Sequence, residues 1–366
     1  MTTMKKCTIF STLLLLTLAI FSAGSHAQTS EKWKPDLLGN GYEMRHVDQG
    51  SDYTGPVIST IIRKVCHRDS AATASDVRRG VLYVHGFNDY FFQQEMGDRF
   101  VDHGYDFYAV DLRRYGRSLT AGQKPFDIRD MASYFPDIDS ALVEMQHNGI
   151  SEVILMGHST GGLTTAYFES RRHPEIIKAL ILNSPFLDWN QGWKERLIPA
   201  VGMLGRLFPD FPISQGTSTA YAESLLKGYH GEWTYNTDWK LIQSPPVTAG
   251  WIRAITEAQH ALLDGHADIR IPILLLYSSE SISGSEWTPA HNRADGVLDV
   301  SDIKKFGREL GPDVTCVKVI GGLHDLVLSA PQIREPLYRY IFNWLDRTLP
   351  PASPLPDSQN QPDQNS

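Results

Sequence analysis

Residues Ser151-Glu152-Val153-Ile154-Leu155-Met156-Gly157-His158-Ser159-Thr160-Gly161-Gly162-Leu163 decide how this chain is read. Val153 to Met156 is an apolar run short enough for one buried strand. Gly157-x-Ser159-x-Gly161 follows at once, and Gly162 to Phe168 continues with spacing compatible with a helix. A strand, a tight turn and a helix around G-x-S-x-G form the setting that raises a serine above a sheet on strained backbone. In so sharp a turn a side chain two residues to either side would collide, so glycine is needed there. In a chain with 29 glycines the five-residue pattern carries little by itself. The flanking strand and helix make Ser159 the candidate nucleophile.

Outward from this stretch the chain alternates strands and helices. Gly41 to Val47 and Val57 to Val65 read as a hairpin, with Asp48-Gln49-Gly50-Ser51-Asp52 as its turn. Gly80 to Val84 is a buried strand followed by His85-Gly86-Phe87. A helix is expected across Phe91 to Val101, a strand over Asp106 to Val110, and a helix from Met131 to Gln146. Ala179 to Leu182 is the strand after the elbow helix. From about Leu187 to Asp268 the alternation stops, and the pattern is helical with no convincing strand. Trp189, Trp193, Leu197, Val201 and Leu204 fall on one face there, with Pro199 expected to bend the helix. Five of the eight tryptophans lie in this insert, which gives it an apolar payload of its own. Alternation returns with a strand at Ile271 to Tyr277, a helix at Val300 to Leu310, a strand at Val314 to Ile320 and a helix through Ile333, Leu337, Ile341 and Leu345. Such a pattern implies a mostly parallel sheet covered on both faces, with ligands beyond the carboxyl ends of its strands.

The ends of the chain read differently. Lys5-Lys6, the apolar stretch Thr8 to Phe21 and Ser25-His26-Ala27 have the layout of a secretory signal peptide over residues 1–27. The protein is therefore expected to be exported, to the periplasm or the medium, with no membrane segment after the signal is removed. Residues 350–366 are mostly Pro, Ser, Gln, Asn and Asp, a composition that cannot form a core and is expected to be disordered. Residues 28–349 then form the domain. Loss of Lys5 and Lys6 takes the formal charge from −8 to −10, which leaves no electrostatic footprint for nucleic acid. Cys66 and Cys316 remain, in an export context that would permit a disulfide. No cluster of cysteine and histidine has zinc spacing, and neither metal nor cofactor is expected.

A serine hydroxyl needs a base to take its proton, and the base needs a partner to orient it. His324 lies in Gly321-Gly322-Leu323-His324-Asp325, just past the last strand and in the chain order that elbow hydrolases show. His158 is expected to point away from the nucleophile. Charge developing on a carbonyl oxygen needs two backbone N–H groups aimed at it. Thr160, after the nucleophile, offers one, and Phe87, in the loop after Val84, is the candidate for the other.

Leu82-Tyr83-Val84-His85-Gly86-Phe87, Asp111-Leu112-Arg113-Arg114-Tyr115-Gly116-Arg117-Ser118, the elbow and the His324 loop together resemble the α/β-hydrolase superfamily. The likeness is strongest to its monoacylglycerol lipase and lysophospholipase-like branch, which is grouped with serine aminopeptidases. It covers about Gly41 to Leu349 and implies a mostly parallel eight-stranded sheet with helices on both faces, the insert at about 187–268 serving as a helical lid. Serine as nucleophile argues against the epoxide hydrolases and haloalkane dehalogenases of that fold, which use aspartate. Two departures stand out. Monoacylglycerol lipases usually show Glu-His soon after His-Gly, where this chain has Asp89-Tyr90. The resemblance also implies an aspartate just after the strand ending near Tyr277, where this chain has Ser278-Ser279-Glu280-Ser281. Asp295 precedes Gly296-Val297-Leu298 and matches the second half of that pattern, as if Ile282 to Arg293 were inserted. Asp295 is therefore the first choice for the triad acid, Glu280 the second and Asp299 the third; Asp299 reads equally as a helix cap.

The function expected is a serine hydrolase that cleaves carboxylic esters, with a small ester or a monoacyl lipid (a monoacylglycerol or lysophospholipid) as substrate partner. A peptidase trimming N-terminal residues is the alternative, and would want a carboxylate in the pocket for the substrate's ammonium group. A small-ester carboxylesterase is another. A binding protein without activity would be expected to have lost a triad member, and serine and histidine are both present.

Overall fold

A computed structural model of the chain describes residues 32–66, 77–189, 197–214, 216, 218–263 and 266–350. The segment read as a signal peptide, the tail beyond Pro350 and Trp193 lie outside the described residues.

Among the described residues, nine strands form one sheet. They are β1 (Lys34–Pro35), β2 (Glu43–Asp52), β3 (Gly55–Lys64), β4 (Arg79–Val84), β5 (Asp106–Asp111), β6 (Glu152–His158), β7 (Ile177–Asn183), β10 (Ile273–Ser278) and β11 (Val314–Val319). Their order is β1-β2-β3-β5-β4-β6-β7-β10-β11, parallel from β5 to β11 and antiparallel from β1 to β5. The strand beyond the eight expected is the two-residue β1, too short to leave a pattern. A further pair, β8 (Pro212–Ile213) with β9 (Val247–Thr248), lies in the insert, where no strand is expected.

Central strands are buried on both sides, so alternate residues feed two cores. Leu82, Val84, Tyr108 and Leu155 join one core with α2 (Phe135–His147), α3 (Thr160–Arg172) and α7 (Val300–Gly307). Val81, Tyr83, Phe107 and Met156 join the other with α1 (Gln94–Asp102) and α8 (Pro331–Thr348). In α8, Leu337, Ile341 and Leu345 recur every four residues and are buried, as the 3.6-residue period requires. Between β7 and β10 lie α4 (Ile198–Leu207), α5 (Ala220–Leu225) and α6 (Ala249–His260), whose Trp251 and Ile255 extend the first core.

Two expectations are corrected here. The turn of the hairpin is Tyr53-Thr54, not the polar stretch before it. Asp48 to Ser51 is instead an irregularity within β2, where Gly50 takes φ +75° and its N–H donates to Asp48 Oδ1. An Asx turn and a bulge use the same residues as a hairpin turn, so composition does not separate them. Pro199 does not bend a helix; it sits in the first turn of α4, where its missing N–H costs nothing.

The loop Asp111 to Ser118 is tied down by three buried arginines. Arg113 binds Asp137, Arg114 binds Asp52, and Arg117 binds Asp36 and Asp111. Removing one partner of such a pair leaves a buried charge uncompensated, so this motif holds the strand ends around the site in place.

Cys66 follows β3, third in the sheet, and Cys316 lies in β11, the ninth. Six steps of about 4.8 Å put them on the order of 25–30 Å apart, far beyond disulfide reach. Alkylation of the denatured, unreduced protein is expected to modify both. An intact mass showing a Cys66–Cys316 bridge would contradict this strand order. Among the described residues, no helix is long and apolar enough to cross a membrane.

Candidate active site

Ser159 occupies the turn between β6 and α3 at φ 54°, ψ −119°. Backbone in such a region costs about 1–3 kcal/mol and persists only where its surroundings over-determine it. Here the Ser159 N–H donates to Asn183 O at 3.0 Å, while its carbonyl accepts from Leu163 and Phe186 at 3.1 and 3.0 Å. The flanking glycines are needed because of contacts. A Cβ on Gly161 would stand 2.3 Å from the carbonyl oxygens of Val84 and His85, and one on Gly157 would stand 2.4 Å from Gly161 O. The turn therefore presses β4 and its following loop against the serine. Gly86 passes close enough that a Cβ there would lie 3.0 Å from Ser159 Cβ.

That proximity brings Phe87 to the serine. The Leu112 N–H donates to His85 Nε2 at 3.1 Å, so His85 carries its proton on Nδ1 and donates it to Gly86 O at 2.8 Å. In a trans peptide the next N–H points the opposite way, which turns the Phe87 N–H away from the His85 ring. Phe87 and Thr160 both line the cavity that holds Ser159.

His324 comes from the loop after β11 and lines the same cavity, 2% exposed. Its Nδ1 donates to Asp295 Oδ2 at 2.9 Å. Asp295 is fully buried, and its Oδ1 accepts the N–H groups of Val297 and Leu298, both at 2.8 Å. Glu280 is exposed, and its backbone oxygen accepts the Asp295 N–H at 2.8 Å. Ser281 and Asp295 form a bridge, so Ile282 to Ala294 loop out between two points that meet. Asp299 caps α7, accepting the Ser301 N–H. The carboxylate on His324 is thus Asp295; Glu280 and Asp299 do not reach the ring. The structure brings Ser159, His324, Asp295, Phe87 and Thr160 to one place.

One expectation changes. His158 does not turn away from the site; its ring stands 4.8 Å from that of His324, and it lines the cavity. Burial lowers its pKa and keeps it neutral.

The cavity, about 280 Å³, has two unlike walls. One is aromatic, with Phe87 on Trp251 at 4.9 Å, Trp251 near Trp189 at 6.1 Å and Trp189 on Phe186 at 5.0 Å. The other is polar and includes Asn88, Tyr221 and Lys240. Burial raises the Tyr221 pKa, so its hydroxyl stays protonated. Sequence patterns do not reveal this polar wall. Asn88 binds the Leu241 backbone twice at 2.8 Å, the Tyr90 hydroxyl accepts the Asn236 N–H, and Lys240 pairs with Asp89 at 3.1 Å. The loop after β4 is thereby fastened to the insert, and Asp89-Tyr90 takes part in that fastening. The only hint in the sequence is a polar Asn88-Asp89 next to an expected oxyanion donor.

Asp89, His158 and Asp325 bring ligand atoms within 4.8 Å of one another. These are donors a metal ion could use, but both Asp325 oxygens already accept from Asn183 and Gln93. The Lys240 ammonium already pairs with Asp89 Oδ1 at 3.1 Å. Three of the four carboxylate oxygens of this cluster are thus engaged within the protein.

The family of serine aminopeptidases, S33, matches residues 75–285, more than half of the chain. A monoacylglycerol lipase of Mycolicibacterium smegmatis is 23% identical over 262 residues, 70% of this chain and 85% of that protein. Among solved structures, a monoacylglycerol lipase of Paleococcus ferrophilus superposes with TM-score 0.55 at 19% identity, over 84% of this chain and 99% of that one. A soluble variant of monoglyceride lipase from Saccharomyces cerevisiae gives 0.57 at 16%, over 87% and 96%. Fold, elbow and matching residues agree: the chain belongs to the serine aminopeptidase S33 family of the α/β-hydrolase superfamily.

Proposed function

We propose that this ester hydrolase of the monoacylglycerol lipase type is exported and cleaves the carboxylic ester of single-chain lipids, monoacylglycerols or lysophospholipids, through an acyl-enzyme. The reading is carried by a histidine held on a buried carboxylate at 2.9 Å, in the same cavity as an elbow serine. The Ser159 hydroxyl attacks the ester carbon as His324 takes its proton. The oxyanion that forms is stabilised by the Phe87 and Thr160 N–H groups. His324 then gives the proton to the departing alcohol, and water releases the acid from Ser159 by the same steps. Asp295 holds the ring in the tautomer that faces the serine and steadies the imidazolium. Export is supported by the basic start, apolar run and small residues before Gln28.

The aromatic wall suits an acyl chain. Burying each methylene is worth about 0.8 kcal/mol, so kcat/KM should rise by up to about fourfold per methylene until the cavity is full. The measurement is kcat/KM along a series of esters from acetyl to palmitoyl. A flat or falling series would point to a small-ester carboxylesterase. Faster release of amino acids from peptides would favour the aminopeptidase reading. Against the latter stands the wall itself: among the described residues lining the cavity there is no carboxylate, and Lys240 would repel a substrate ammonium.

A further inference from the structure

Lys240 belongs to the insert, yet it lines the cavity that holds Ser159, while the residue is only 6% exposed. Apart from histidine it is the only ionisable cation of that lining, and no Asp or Glu accompanies it there among the described residues. A charge so removed from water needs a counter-charge beside it. Asp89 supplies it through Oδ1 at 3.1 Å, occupying one of the three N–H donors of the ammonium. The rings of Phe92, Tyr221 and Tyr235 lie 5.7–5.8 Å from Nζ. Aromatic faces favour a cation but are poor hydrogen-bond acceptors.

Asp89 itself is 1% exposed, does not line the cavity, and leaves Oδ2 without a partner. Asp325 is engaged by Asn183 and Gln93, and His158 is neutral. A molecule in the cavity therefore meets Lys240, which lines it, and not Asp89, which does not. The Tyr221 ring links this charge to the chemistry, 5.7 Å from Lys240 Nζ and 5.5 Å from the His324 ring. His324 must protonate the leaving oxygen, so this wall borders the alcohol half of the ester.

Resting on the ester-hydrolase reading, we propose that Lys240 is a specificity residue for esters whose alcohol carries an anionic oxygen group close to the ester oxygen. A phosphate or a carboxylate supplies that chemistry. Charge-assisted hydrogen bonds are roughly twice as strong as neutral ones, so a glycerol hydroxyl at this place is the poorer partner.

The test compares kcat/KM for three esters of one acyl chain: the 1-monoacylglycerol, its 3-phosphate, and the O-acyl ester of a short hydroxy acid. At least one anionic ester is expected to exceed the neutral one by about tenfold, and the two arms identify phosphate or carboxylate as the group selected. Removing Lys240 alone would strand Asp89, so the pair is neutralised together in Lys240→Met with Asp89→Asn. The anionic-to-neutral ratio should then fall to about one, while Lys240→Arg keeps a preference. A wild-type ratio at or below one overturns the inference, and so does a ratio unchanged in the double variant. If the double variant does not fold, the wild-type ratio and Lys240→Arg decide. The absence of turnover of all three esters by a protein that still reacts with a fluorophosphonate would instead overturn the lipid-ester reading.

Discussion

Ser159→Ala is expected to lower ester hydrolysis by roughly 10³- to 10⁶-fold and to abolish labelling by a fluorophosphonate, with the fold retained. The size follows from the division of labour in the cavity. In the proposed mechanism no acyl-enzyme forms without the hydroxyl, and what remains is the activation of water by His324 beside the proposed oxyanion donors. Retention of the fold follows from the contacts at the turn, which are made by the Ser159 backbone and not by its side chain. Asn183, Leu163 and Phe186 hold that backbone whatever the side chain is. Alanine tolerates the strained φ no better than serine, so a small loss of thermal stability is expected at most. His324→Ala should fall in the same range, since the proposed mechanism uses the two residues as a unit. Rates measured at equal folded concentration, with circular dichroism as the control, decide the matter. Near-normal turnover by well-folded Ser159→Ala protein would end the mechanism.

Asp295→Asn should follow closely, with a loss on the order of 10⁴-fold in kcat and little change in KM. The carboxylate accepts the His324 Nδ1 proton at 2.9 Å. An amide in its place can present an N–H to Nδ1, and the ring then takes the tautomer that cannot receive the serine proton. The other oxygen, on the Val297 and Leu298 N–H groups, is expected to hold the loop in place in the variant. Glu280→Gln and Asp299→Asn should stay within a few-fold of the parent, because one side chain is exposed and the other caps α7. If Glu280→Gln were the damaging change, the looped-out segment would not be what separates the acid from its strand.

The elements that sequence makes legible are those whose cause is local. Val153 to Phe168 reads as strand, turn and helix because steric limits on a five-residue turn admit little else. The contacts at Gly157 and Gly161 are the collisions that this argument calls for. Strands such as Gly80–Val84 follow from a short apolar run buried on both faces, and helices such as α8 from the 3.6-residue period that burial imposes. Boundaries drift where one composition serves two structures, as at Asp48 to Ser51 and at Pro199.

By itself, then, the sequence determined the strand–helix alternation, the parallel sheet it demands, the elbow at Ser159 and the glycine-rich loop that carries His324. These rest on interactions among residues a few positions apart, and each leaves a pattern in the chain. Only the tertiary structure decided which carboxylate meets His324, that His158 faces the cavity, and that Lys240 reaches across to Asp89 from 151 positions away. Those contacts are made between loops whose meeting depends on strand order and on how far an insertion bulges. No periodicity records that meeting: a buried lysine becomes stable only when its counter-ion is delivered by another part of the fold.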